Sequence, residues 1–397
     1  MNPVRHRDSI SNGAKTKMSN GVKLLFVSGD TALAQGKKGP FYYLLEEFSK
    51  YWERIDIICP RIKNRESGIK NIFGNVFIHS SPWLIIFHPW FILKKGTEIY
   101  KKERFDIFGV HSYPPFYNDI GGRWLYNKIK TPYVLEIMHI VGYPKAANLK
   151  ERVYKILNKL FIRYSANKAK AIRIINQKQV PEFLKNAGVD NEKLRYTPAF
   201  YIDLGVFKPQ NLEKKYDIVF SGRLVKNKGI ILLLEAVKNL KFKIKDLKLI
   251  IVGDGPLKPE IEIYIKKNKL ENNVEFSGWL PSTEDVAIIY NQSKIMVMPS
   301  YNEGGPRVTL EAMACKTPVL TSRVGIMLDI IEDRDNGLFI DWNSDDISKI
   351  ILLILKDGNL YQKIAENGYN TIQQFEREKT IKNYAETYQN LLHSSRI

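Results

Sequence analysis

The sequence predicts an α/β protein made of two doubly wound domains, each a largely parallel sheet with helices on both faces. Three observations carry that expectation. Short apolar runs of strand length alternate with amphipathic runs of helix length along nearly the whole chain, which is the order that parallel strands and crossover helices require. Several of the apolar runs enter a glycine-bearing loop directly, as at Ser28-Gly29-Asp30, Ser221-Gly222-Arg223 and Gly253-Asp254-Gly255-Pro256. Loops of that kind lie at the carboxyl edge of such a sheet, where ligands bind. At 397 residues, 44% of them hydrophobic, the chain is long enough to bury two separate cores.

In chain order, residues 1–20 begin MNPVRHRDSISNGAKTK and are polar and basic with no apolar segment. They read as a disordered tail and not as a signal peptide. The first domain is expected over 21–208. Its strands are expected at 22–27, 55–59, 76–78, 105–110, 133–138 and 171–175. After the first comes a loop ending Gly36-Lys37-Lys38-Gly39-Pro40, then an amphipathic helix over 41–52. Gly36 and Gly39 fit either an ordinary turn or a loop that approaches a ligand. His111 and His139 each end a strand, at the edge where the site should lie.

A helix over 149–169 carries Leu149, Val153, Ile156, Leu157, Leu160 and Tyr164 at helical spacing, with Lys150, Arg152, Lys155, Lys159 and Arg163 mostly elsewhere. The plain expectation is a core-facing helix with a solvated basic face. The alternative is attraction to an anionic membrane. The aromatic stretch 83–91, WLIIFHPWF, in the same half of the chain favours that alternative. The stretch is no membrane span, because His88 and Pro89 break it well short of the 18 or so apolar residues needed.

Pro209-Gln210-Asn211 is the expected linker, and the second domain is expected over 209–374. It opens with a strand at 216–220 and the loop Ser221 to Gly229, whose Arg223 and Lys228 are fixed cations of the kind a diphosphate needs. Strands follow at 249–252 and near 274–278, the latter preceding Trp279, which suits either a core or a platform for a base.

The centre of this domain is residues 295–322, IMVMPSYNEGGPRVTLEAMACKTPVLTS. A buried strand enters a Gly-Pro loop, then a short helix with Pro306 as its expected first residue. The amides of Arg307 and Val308 would then point unpaired from the helix start and make an anion site. Glu303 and Glu311 flank it. The plainer account of Glu311 is a salt bridge to Arg307, four residues earlier.

The run Glu303-Gly304-Gly305-Pro306-Arg307-Val308-Thr309-Leu310-Glu311-Ala312-Met313-Ala314-Cys315 resembles the motif of the retaining glycosyltransferases of family four, whose fold is GT-B: two Rossmann-like domains facing a cleft. The resemblance extends from about Val22 to the end and is strongest over 216–340. It departs from the family's commonest form at Pro306-Arg307 and at Lys316, where glycine is usual. It implies transfer of a sugar from a UDP- or GDP-linked donor to a glycan or lipid-linked acceptor with retention. By position, it gives Glu303 and His139 to the donor sugar and its transfer, and Glu311 to the ribose. Arg223 and Lys228 go to the diphosphate with the helix start at Arg307 and Val308, and Gly36 to the loop that approaches the donor. It implies neither a cofactor nor a metal, and a terminal helix, 375–397, that returns to the first domain. A sugar-nucleotide epimerase on the same fold is one alternative, and a polyanion-binding protein that uses the net charge of +19 is another.

Composition limits the remaining choices. A net charge of +19 suits nucleic acid, an anionic membrane or anionic small molecules, or is a plain solubility effect. No nucleic-acid motif accompanies it. Two cysteines give no disulfide framework, which makes a reducing cytoplasm the expected location. Asp333-Arg334-Asp335 spells a metal-binding D-x-D but falls in the acidic turn before Asn336-Gly337, away from the expected donor site.

Overall fold

A computed structural model describes residues 21–62 and 70–393. The basic tail expected over 1–20 lies outside the described residues. The first sheet contains β1 (Lys23–Val27), β2 (Arg54–Cys59), β3 (Asn71–Ile72), β4 (Val76–Ser80), β5 (Ile107–His111), β6 (Tyr133–Ile137), β7 (Ala171–Ile174) and β8 (Leu194–Tyr196), in the order β3-β4-β2-β1-β5-β6-β7-β8. The second contains β9 (Tyr216–Ser221), β10 (Leu249–Val252), β11 (Val274–Gly278), β12 (Ser293–Met298), β13 (Val319–Thr321) and β14 (Leu338–Phe339), in the order β11-β10-β9-β12-β13-β14. Only the short β3 runs antiparallel to its neighbour among the described strands. β3 and β8 were not among the expected strands, being too short or too polar to stand out as apolar runs.

Both sheets reverse their winding next to their first strand, between β1 and β5 and between β9 and β12. The loops that follow such a reversal diverge to opposite faces and leave a crevice, where a ligand is expected to sit. The strands that form these crevices are fully apolar in their interiors. Leu24, Leu25, Phe26 and Val27 have no exposure, nor do Ile218, Val219 and Phe220, as expected of strands covered on both faces.

The chain leaves the first domain at Ile202 and returns at Phe375, where the Ile202 amide donates to the Phe375 carbonyl at 2.8 Å. The closing helix Arg377–His393 then packs on the first domain. Arg377 bonds to the Tyr43 carbonyl at 2.9 Å, and Gln389 to that of Tyr51 at 2.9 Å.

The helix Leu149–Ala166 does not face the core as plainly expected. Leu149, Val153, Ile156, Leu160 and Tyr164 are exposed, and the inward side is Asn158, Ile162, Ser165 and Ala166. That side is held by polar contacts. The Ser165 hydroxyl donates to Asp119 at 3.0 Å, and the Tyr133 hydroxyl to the Ser165 carbonyl. Polar, close-packed residues are invisible to a hydrophobic periodicity, so the conspicuous stripe was assigned to the wrong side.

His88 opens the helix His88–Glu103, fully buried, with neither ring nitrogen hydrogen-bonded among the described residues. Burial pushes its pKa from 6.5 down to about 4. Its neutral form therefore supports the fold fully above pH 6.5, and this support is lost as the pH falls toward 4. Urea unfolding should show the native protein losing about 2 kcal/mol more between pH 7 and pH 5 than His88→Leu loses. Equal losses in the two proteins would show that His88 is not the sensitive group.

Candidate active site

In the second domain the loops after β9 and β12 are joined side by side. Tyr301 donates its amide to the Asn227 carbonyl at 2.8 Å, and the Asn227 side chain donates to the Asn302 carbonyl at 3.3 Å. Gly229 makes the join close. Its φ is +69°, and a Cβ there would lie 2.2 Å from the Pro299 carbonyl oxygen, so the position admits glycine alone. The result is that Lys228 is held against Glu303, and the two side chains form a largely shielded ion pair.

The helix Arg307–Ala314 begins one residue later than expected. Pro306, at ψ 97°, is extended and caps the helix, while its carbonyl accepts the Thr309 hydroxyl at 2.6 Å. The Arg307 and Val308 amides therefore lead the helix and have no carbonyl a turn earlier to bond. Arg307's guanidinium is engaged elsewhere, 4.7 Å from the Tyr201 ring and 3.2 Å from Glu311 Oε1. The salt bridge considered from the sequence thus exists. It is not a surface pair, since Glu311 is buried and also accepts from the Tyr290 hydroxyl at 3.4 Å. Burial raises the Glu311 pKa, and Arg307 and Tyr290 oppose that rise. A cavity of about 290 Å³ opens onto Glu311 and brings together Arg223, Val308 and Trp279. Trp279 is 75% exposed, so it is no core residue.

The first domain contributes a cavity of about 460 Å³ at its own reversal point, lined by Gly29, Phe41, His111, Glu136 and His139. Under it lies a cluster of buried charge. Glu136 accepts from Tyr384, from Tyr388 at 2.6 Å and from Arg173 at 3.0 Å, with His111 at 3.4 Å. Arg173 lies on the Tyr384 ring at 3.6 Å. Burial lowers the His111 pKa, opposed by Glu136. His139 also has a lowered pKa, first through burial and then through Lys228, with Glu303 and Asn302 acting in the opposite sense. Its Nε2 is out of solvent and has no hydrogen-bond partner among the described residues.

The two domains close on each other through backbone. Gly304 lies so near the first domain that a Cβ would be 1.8 Å from the Met138 carbonyl oxygen. Asn302 donates to the Lys145 carbonyl at 2.8 Å and to Glu151 at 2.9 Å. Gly325 donates to Gln179 at 2.6 Å, and Asp329 accepts from the amides of Gln177 and Lys178 at 2.6 and 3.1 Å.

Gly304 and Met138 are the chain neighbours of Glu303 and His139, so their close approach brings the Lys228–Glu303 pair up to the His139 strand end, and Arg223, Val308 and Glu311 share a second cavity. Gly36 lies apart. It is exposed, has φ +75° and ends the short turn Leu33–Gln35. The glycine of that loop which borders the cavity is Gly29. Asp333 and Asp335 are occupied locally, by the Phe339 amide at 2.8 Å and Lys363 at 2.9 Å. Among the described residues no three His, Cys, Asp or Glu side chains are placed to hold a metal ion. The Glu136 cluster was not singled out from the sequence; its one signal there was a glutamate inside an apolar strand.

Two doubly wound domains facing a cleft are the architecture of the GT-B fold. The chain belongs to the family of glycosyl transferases group 1, whose profile matches residues 205–371. An uncharacterised glycosyltransferase of Methanocaldococcus jannaschii is 30% identical over 346 residues, which is 85% of this chain and 92% of the relative. An N-acetylgalactosaminyltransferase of Campylobacter jejuni, named for an undecaprenol-diphosphate-linked glycan, is 26% identical over 65% of this chain and 69% of its own. Sucrose-phosphate synthase from Thermosynechococcus elongatus superimposes with a TM-score of 0.79 at 20% identity, covering 94% of this chain and 100% of that one.

Gly304→Ala should wedge the domains apart. Small-angle scattering should show a larger radius of gyration with unchanged circular dichroism, and an unchanged radius would show that the seam absorbs a methyl group.

Proposed function

We propose that this protein moves a sugar from a UDP- or GDP-linked donor to a glycan or lipid-linked acceptor, with retention at the anomeric carbon. It acts in the synthesis of cell-surface polysaccharide or glycoconjugate, on the cytoplasmic side and in peripheral contact with the membrane. The observation that carries the reading is the closure of Gly304 onto the Met138 carbonyl, which brings Glu303 with its partner Lys228 up to the strand end of His139, beside a cavity containing Arg223 and Glu311. The Campylobacter relative, named for a lipid-linked glycan, supports the acceptor class. No helix of the described residues is long and apolar enough to cross a membrane.

In this reading the diphosphate lies between Arg223, Lys228 and the amides of Arg307 and Val308. Charge develops on the leaving phosphate, and these groups are fixed before it does, which is where preorganised donors act most strongly. Lys228 turns from Glu303 to the diphosphate and frees that carboxylate for hydroxyls of the donor sugar. Glu311 takes the ribose hydroxyls, with Trp279 exposed at the same cavity for the base. His139, largely neutral because its pKa is lowered, faces the sugar and the acceptor. The acceptor oxygen bonds to the anomeric carbon on the face from which the phosphate oxygen leaves, and its proton passes to that oxygen. The cavity in the first domain, with its apolar wall and buried polar floor, favours an acceptor-using transferase over an epimerase.

Two measurements test the reading. Calorimetric titration should show that Glu311→Gln weakens the free nucleotide and the nucleotide-sugar alike. Glu303→Gln should leave nucleotide affinity near normal and reduce acceptor-dependent transfer. Normal nucleotide binding and normal turnover in both variants would remove the basis of the proposal. Transfer should also survive a chelator, because the cations and the helix start supply the charge; loss of activity restored by magnesium or manganese would overturn that part.

A further inference from the structure

Large apolar side chains stand in solvent on two helices of the first domain and on the turn that precedes one of them. On the helix Leu149–Ala166, Leu149 is 74% exposed, Ile156 65% and Leu160 66%. On the turn Ile85–Phe87 and the helix after it, Ile86 is 56% exposed and Trp90 51%. The helix Tyr117–Ile129 connects the two groups. Its Trp124 ring is 5.1 Å from Trp90, and its Arg123 lies 5.4 Å from the Tyr164 ring. The band is therefore continuous, far from the scatter of single apolar residues that any surface shows.

The exposed charges on the helix Leu149–Ala166 are of one sign. Lys150, Arg152, Lys159 and Arg163 are exposed on the same helix, and none has a carboxylate within ion-pairing distance among the described residues. The acid of that helix, Glu151, is turned away, accepting from the Ala147 amide at 2.8 Å and from Asn302 at 2.9 Å. Aromatic and aliphatic side chains bordered by free lysine and arginine suit a headgroup layer that is anionic above and apolar below. A second copy of this chain suits it poorly, because a symmetric contact would bring the same unpaired cations together.

We propose that this band is a docking surface for an anionic lipid bilayer. The Leu149 end of the band stands beside the cleft, since Asn302, next to Glu303, bonds to Lys145 and Glu151 at the start of that helix. Docking therefore sets the mouth of the cavity that contains His139 at headgroup level. Its use in presenting a lipid-linked acceptor rests on the transfer proposed above; the docking itself does not.

Flotation of the whole protein tests it, with vesicles of phosphatidylcholine alone and with phosphatidylglycerol added. Recovery should depend on the anionic lipid and fall several-fold in high salt. Ile156→Glu with Leu160→Glu should lower it at least about tenfold, as should Lys150→Gln with Lys159→Gln. Both variants should keep nucleotide binding, which also shows that they are folded. Recovery that ignores the anionic lipid, or that neither variant changes, overturns the proposal. So does a stable dimer in sedimentation that the glutamate variant dissolves. A protein that floats as expected but transfers no sugar defeats the transferase reading and leaves the docking surface in place.

Discussion

Glu136 lies inside β6 with no exposure at all, and a carboxylate there is tolerated only if charge and hydrogen bonds reach it from several sides. Its partners come from three places: Arg173 on β7, His111 on β5, and Tyr384 and Tyr388 on the closing helix. Burial alone would raise its pKa, yet Arg173 and His111 together with the tyrosine hydroxyls bring it below the ordinary value. The last helix, in crossing back to the first domain, brings the two tyrosine hydroxyls; without it the buried carboxylate would keep Arg173 and His111 but lose both donors to its Oε1. That return carries the chain past Ile202 and seats the second domain opposite the first. The same cluster forms the floor of the cavity in which His139 stands, so one electrostatic requirement holds both the domain arrangement and the base of the site.

Across the cleft the two domains meet through small residues and backbone groups more than through large side chains. Gly304 against Met138, Gly325 on Gln179 and Asp329 on two amides leave little tolerance for displacement. Lys228 and Glu303 satisfy each other at this seam. Such a pair keeps both charges ordered and neutralised, and in the proposed transfer it is the diphosphate that competes for the lysine. On the other side the Glu311 carboxylate leans on Arg307 and Tyr290.

The first domain shows a similar division between an ordered polar interior and an apolar exterior. The helix Leu149–Ala166 presses small and polar residues inward, where Ser165 and Asp119 bond, and leaves its aliphatic stripe outside. Burial raises Asp119 to a pKa of about 7, with Ser112 and Ser165 opposing the rise. The hydrogen-bonded face fixes the helix, and the apolar face stands in solvent.

The sequence by itself determined the two parallel sheets, most strand positions and the unit around Glu303 and Glu311. Those features depend on local chemistry: apolar runs of strand length, glycine where backbone turns, proline at a helix start, and acids at a set spacing. Trp279 was left open between core and cavity, Gly36 between turn and ligand loop, and the Leu149 stripe was plainly expected in the core. Only the tertiary structure decided these, because periodicity marks an apolar face without saying what lies against it. The pairings of Lys228 with Glu303 and of Glu136 with Tyr388 span 75 and 252 residues. No local pattern encodes contacts at that separation; they exist because the sheet order and the returning helix bring the side chains together.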